Sequence, residues 1–160
     1  MKFFEDINVG DRFDVGKHTF TAEAIKAFAR RFDPQRFHVD EAEAERSHFG
    51  ALCASGWHTA VAWMRLMTDF RRRMDDAALA RGEAVAAIGP ALGFRELKWL
   101  KPVYANDTID YRTEVVETRL SNSRPKLGLL TFLTTGTNQN GEQVISFLST
   151  TFVERRPGQA

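Results

Sequence analysis

At 160 residues, with 43% apolar and 27% charged side chains, the chain has the composition of one soluble folded domain, 1–160, large enough for a real hydrophobic core. A net charge of +1 gives no overall drive toward nucleic acid or acidic lipid. The single Cys53 excludes an internal disulfide framework and a cysteine-based metal cluster, and fits a reducing compartment.

The N-terminal MKFFEDINVGDRF has an acidic residue by position 5 and no long apolar run, so it does not read as a signal peptide. No segment approaches about 18 consecutive apolar residues, so no transmembrane helix is expected and the cytoplasm is the expected compartment. RFDVGKHTF reads as a strand. Thr21 then caps a helix, TAEAIKAFARRF, with Glu23 in its first turn and Ile25, Phe28, Ala29 and Phe32 at helical spacing. Pro34 disfavours helical backbone at Asp33, so the helix should stop near Phe32. Residues 33–39 are expected to be a loop. Asp40 can cap a short helix, EAEAERS, that ends before Phe49-Gly50.

The segment from Ser55 to Gly82 has apolar side chains around most of its helical circumference: Trp57, Ala60, Val61, Ala62, Trp63, Met64, Leu66, Met67 and Phe70. Such a helix is expected to be buried. It becomes amphipathic past Arg71, and Gly82 is a suitable stop. AVAAIGPALG looks like a flexible connection. After it the period changes to that of strands. FRELKWLKPV is one. TIDYRTEV alternates Ile109, Tyr111, Thr113 and Val115, and Val115-Val116 breaks the alternation as a bulge does. LGLLTFLTTGT and QVISFLSTTFV follow, joined by Asn140-Gly141, a strong hairpin signal. The sum is α+β: a curved antiparallel sheet of about five strands wrapped around one long buried helix, the hot dog arrangement.

Two stretches carry possible chemistry. In FDPQRFHVD, Asp33 and His38 have reference pKa values of about 3.9 and about 6.5, and burial or mutual contact can bring either toward neutrality. They suit a pair exchanging protons with one water. The same spacing also suits an ordinary surface turn, with a locally bonded Asp and a part-buried His. In ASGWHTA, Ser55-Gly56 precede the long helix. Its free N–H groups can stabilise an oxyanion, and Gly56 permits close approach of a ligand. The plainer reading makes Ser55 a helix cap and Gly56 a packing residue. Ser55 and His58 lack the G-x-S-x-G elbow of a hydrolase nucleophile. No histidine pair has metal-ligand spacing on one helix face, so no metal is expected. Arg71-Arg72-Arg73 reads as a solvated helix end, not a nucleic-acid contact.

In combination, AFARRFDPQRFHVDEAEAERSHFGALCASGWHTAVAWMRLM resembles the hydratase motif region of MaoC-like acyl dehydratases, the R-specific enoyl-CoA hydratase family. LKPVYANDTID and SNSRPKLGLLTFLTTGTNQNGEQV resemble later segments of that family, so the likeness spans nearly the whole chain. The resemblance implies a hot dog homodimer with an acyl tunnel near the dimer interface. It implies Asp33 and His38 as the catalytic pair, Gly56 as the backbone donor to the thioester oxygen, and Ser55 as a supporting polar group. The substrate would be an acyl-CoA or acyl carrier protein thioester, with no cofactor beyond the CoA of the substrate itself. Trp57 and Trp63 are expected to narrow the tunnel. Arg95, Lys98, Lys101, Arg124 and Lys126 are candidates for the CoA phosphates. The pattern departs from the family's D-x-N-P-x-H: Pro34 directly follows Asp33, Gln35 stands where Asn is usual, and SGWH replaces an HGM-type helix entry. The Asp-to-His spacing is kept. The alternatives are a hot dog thioesterase of the same substrate class and a non-catalytic acyl-CoA-binding protein.

Overall fold

The structure is a computed structural model that describes residues 1–158. Its strands are β1 (Arg12–Thr19), β2 (Ile88–Trp99), β3 (Thr108–Leu120), β4 (Leu127–Thr137) and β5 (Gln143–Glu154). They form one antiparallel sheet in the order β1-β3-β4-β5-β2, with β1 and β2 at the edges. The helices are α1 (Ala22–Phe32), α2 (Arg36–Val39), α3 (Glu41–Arg46) and α4 (Gly56–Ala80). The sheet curves along α4. This is the α+β hot dog arrangement expected from the alternation of periods.

Local signals correspond to local structure. The Thr21 hydroxyl accepts from the Ala24 N–H, and the Asp40 carboxylate accepts from the Glu43 N–H. Pairing of β3 with β4 shifts register between Val115 and Glu117, the bulge at Val116. Gly141 takes φ +78° in the β4–β5 hairpin, a conformation that favours glycine.

The sheet's inner face meets α4 through Ile109, Tyr111, Ile145 and Phe147, all almost fully buried. Each such side chain contributes roughly 1.5–3 kcal/mol by leaving water. The Tyr111 hydroxyl donates to the Thr59 carbonyl at 2.9 Å, so its buried polar atom is satisfied and the sheet is pinned to the first turns of α4.

Three expectations need correction. Residues 33–39 are not all loop: Arg36–Val39 form α2, a single turn. Pro34 stops α1, but nothing after it forbids a fresh turn. The segment read as a flexible connection enters β2 at Ile88. An edge strand tolerates Pro90 and repeated register shifts because one side of its backbone needs no partner. Finally, the part of α4 before Arg71 is apolar around most of its circumference but is not buried to the same extent. Ala62, Trp63 and Met67 are buried, whereas Trp57, Val61 and Met64 are 55%, 52% and 45% exposed. The sheet covers one side of the helix and leaves the other open.

One buried residue of α4 ties stability to pH. His58 stacks on Phe28 at 4.4 Å and meets Phe20 edge-on. Its Nδ1 has no hydrogen-bond partner among the described residues. Burial, aided by nearby His18, pushes its pKa down to about 4. In the unfolded chain a histidine titrates near about 6.5. Between these values the unfolded state binds more protons, so stability falls as pH drops from about 6.5 toward 4. The full loss is on the order of 3 kcal/mol. Urea unfolding of His58→Leu over this range is expected to show a flatter stability profile than the wild type.

Candidate active site

A cavity of about 460 Å³ lies where α1, α2, the N-terminus of α4 and the exit of β2 meet. Asp33, His38, Ser55, Gly56 and Trp57 all border it. Another cavity, of about 380 Å³, borders the C-terminal half of α4 and includes none of these residues.

Asp33 follows the last residue of α1, with φ −152° and ψ 69°, outside helical space as the following proline requires. The Gln35 amide donates to Asp33 Oδ1 at 2.9 Å. Asp33 Oδ2 stands 3.6 Å from His38 Nε2. That is too long for a good direct hydrogen bond, yet both atoms can touch one water. Burial works against the Asp33 charge. The neighbouring Ser55 hydroxyl, the Gln35 amide and His38 outweigh it and hold the carboxyl below its usual value. Asp33 is therefore ionised at neutral pH.

His38 is buried on α2. Its Nδ1 lies 2.7 Å from the Cys53 carbonyl oxygen. A carbonyl can only accept, so Nδ1 carries the proton and, in the neutral ring, Nε2 presents its lone pair toward Asp33. Phe37 meets the imidazole edge-on at 4.5 Å. The neighbouring Cys53 thiol is pushed up to about 11 by burial, so it is no nucleophile at neutral pH.

Ser55 caps α4 by accepting the Trp57 N–H at 3.3 Å, and the His58 N–H bonds the Ser55 carbonyl. The Gly56 N–H has no partner among the described residues. It stands at the positive end of a 25-residue helix. Ser55 and His58 make no side-chain hydrogen bond to each other. An Ala at position 56 would place its Cβ 2.5 Å from the Trp99 indole. Close approach, not a positive φ, is why a glycine suits this position.

The residues singled out in the sequence divide cleanly. Asp33, His38, Ser55, Gly56, Trp57 and Lys101 border the cavity. Lys101 is ion-paired with Glu142. Trp63 does not border it; its indole packs in the core against Phe147. Arg95 and Lys98 are exposed on β2, and Arg124 and Lys126 lie in the β3–β4 connection; none of the four reaches the cavity. Sequence reasoning missed the Cys53 carbonyl, the Gln35 contact and Trp99. The last lies in a strand far along the chain and carries no local signal. Among the described residues no three His, Cys, Asp or Glu side chains cluster as a metal site requires, and no helix is long and apolar enough to cross a membrane.

A hot dog domain in which an Asp–His pair and the free Gly56 N–H border one cavity defines a class of protein, the hot dog proteins with a proton-exchanging site at the start of the long helix. Comparison with known proteins narrows the class. Residues 8–136 match the MaoC-like domain, and the chain belongs to that family of dehydratases and hydratases. A MaoC-like dehydratase from Rhodospirillum rubrum is similar in structure, with TM-score 0.81 and 41% identity, covering 98% of this chain and 99% of that one. The uncharacterized protein YdeM of Bacillus subtilis (strain 168) is 28% identical over 88% of this chain and 90% of its own length. The mesaconyl-CoA hydratase of Cereibacter sphaeroides is 26% identical over 97% of this chain. The chain spans only 42% of that hydratase's length.

Proposed function

We propose that the protein is a hydro-lyase of the R-specific hydratase type, adding or removing water across the 2,3 double bond of an enoyl thioester. The carrier is CoA or acyl carrier protein, and no further cofactor takes part. The reading is carried by one arrangement: Asp33 and His38, 3.6 Å apart, face the same cavity as the unpaired Gly56 N–H. The mesaconyl-CoA hydratase similarity supports a CoA thioester.

In the hydration direction one water sits between Asp33 Oδ2 and His38 Nε2. The lone pair on Nε2 takes a proton as the water oxygen bonds to C3. The π electrons move to C2 and the thioester oxygen gains negative charge. The Gly56 N–H and the α4 dipole meet that charge; such a donor contributes on the order of 10²–10³ in rate. Ionised Asp33 stabilises the imidazolium. The proton then passes to C2, which completes the addition and restores neutral His38. Ser55 supports Asp33 and caps the helix, Trp57 walls the cavity, and Lys101 at the rim serves the carrier's phosphates.

The test is a panel of short trans-2-enoyl-CoA thioesters, following enoyl absorbance and free thiol together. Loss of enoyl absorbance without thiol release is expected. Thiol release without hydration would identify a thioesterase, and neither signal would leave a binding protein.

The functional unit is a homodimer joined along β2. The exposed side of α4, with Trp57, Val61 and Met64, and the exposed Leu92 and Trp99 of this edge strand present large apolar side chains to solvent. Light scattering is expected to give twice the 18.1 kDa chain mass. Leu92→Arg is expected to shift the protein toward monomer, because an unpaired charge in an apolar interface is costly.

A further inference from the structure

The His38 ring is oriented by the segment that leads into α4. Its Nδ1 lies 2.7 Å from the Cys53 carbonyl oxygen, and the Phe49 ring faces the imidazole at 6.4 Å, centre to centre. Both Cys53 and Phe49 are tied to one residue of the β2–β3 connection, Tyr104. Cys53 and Tyr104 form an isolated antiparallel bridge. Its hydrogen bonds come from the neighbours: the Ala54 N–H donates to the Val103 carbonyl at 2.7 Å, and the Ala105 N–H to the Leu52 carbonyl at 3.0 Å. In such an antiparallel pair the two residues between those bonds turn their own N–H and C=O groups outward. The Cys53 carbonyl is thereby left free for His38, and the Tyr104 N–H is met by Asp107 Oδ2 at 2.8 Å. The Tyr104 hydroxyl reaches back and donates to the Phe49 carbonyl at 3.0 Å.

We propose that Tyr104 is a positioning residue for His38: its backbone aims the Cys53 carbonyl at Nδ1, and its hydroxyl fixes the backbone of Phe49 beside the ring. The consequence for the reaction rests on the hydratase reading above. Nε2 can take the water proton only while Nδ1 keeps its own. A loosened Nδ1 bond lets the ring turn, or the proton move to Nε2, and the lone pair then no longer meets the water beside Asp33. Phe49 borders the cavity and Tyr104 does not, so Tyr104 acts through its partners, on the rate and not on substrate binding.

Tyr104→Phe removes the hydroxyl and leaves the backbone bridge in place. NMR of the free, isotope-labelled protein follows the His38 Nδ1 proton, identified by its absence from His38→Ala. In Tyr104→Phe this proton is expected to exchange with solvent about 2–10-fold faster than in the wild type, the worth of one neutral hydrogen bond. With trans-2-butenoyl-CoA, kcat is expected to fall by a similar factor while KM stays within about twofold. Tyr111→Phe is the matched control. It too loses a hydroxyl bonded to a backbone carbonyl, that of Thr59 at 2.9 Å, and should lower thermal stability without speeding the His38 exchange. Exchange at the wild-type rate in Tyr104→Phe overturns the proposal. So does faster exchange with an unchanged kcat, or equal acceleration in Tyr111→Phe. A wild type that hydrates no enoyl thioester of the panel overturns the hydratase reading alone, and the exchange rates of the two variants still decide whether Tyr104 positions His38.

Discussion

Asp33→Asn lowers kcat for hydration by about 10²–10⁴-fold, the range of a lost acid/base partner. Asn keeps the shape of Asp and can still accept the Gln35 amide bond seen at 2.9 Å. What it lacks is the charge that stabilises protonated His38 at 3.6 Å. The effect should therefore fall on kcat more than on KM. His38→Ala is expected to cost at least about 10²-fold, since it removes the proton acceptor itself. The double variant should lose little more than the worse single one, because the two act on one water as a unit. Thermal unfolding of Asp33→Asn close to that of the wild type would show that the loss is chemical. Near-normal rates in both single variants would return FDPQRFHVD to an ordinary surface turn. The acid side follows with a defined sign. The folded pKa of Asp33 is lowered, so the ionised state and its contribution to stability persist at neutral pH. Both are lost only as pH falls through the folded value.

Gly56→Ala is expected to damage both rate and stability. Two effects compete at this position. Alanine is the better helix former by up to about 1 kcal/mol. Against that, its Cβ would stand 2.5 Å from the Trp99 indole, whose backbone is fixed by pairing with β5. Overpacking of this kind costs about 1–3 kcal/mol, so the collision wins. Relief by shifting the start of α4 would turn the Gly56 N–H away from the thioester oxygen, with a further loss of about 10²–10³ in kcat. The check is kcat alongside the urea midpoint. In a Trp99→Ala background the same substitution should cost much less, and that coupling would tie the loss to this one contact. Equal costs in the two backgrounds would mean that the indole is not what the glycine accommodates.

Much of the fold was legible because its signals act over a few residues. Thr21 and Asp40 satisfy N–H groups three residues on. Pro34 ends α1 through its own ring. Val116 marks its bulge by breaking a two-residue period, and Asn140-Gly141 turns a hairpin where Gly141 takes a positive φ. The misreadings share an opposite cause. Gly89, Pro90 and Gly93 argue locally against a strand, yet β2 forms because β5 supplies partners on one side and the other side needs none. The apolar pattern around most of α4 before Arg71 reports burial somewhere. It cannot say that one chain's sheet covers only one side.

The site divides along the same line. Sequence alone determined which groups were available: a carboxylate and an imidazole five residues apart across a proline, and a serine–glycine pair opening a long helix. Spacing could not choose between a turn and a proton-exchanging pair. The tertiary structure decided that Asp33 and His38 meet at 3.6 Å, and that the Cys53 carbonyl directs the His38 ring. It also brought a tryptophan from the far end of β2 against Gly56. These are contacts between side chains and backbone atoms remote in sequence. Their positions follow from how the sheet closes over the helix, and no periodicity or local propensity encodes that distance.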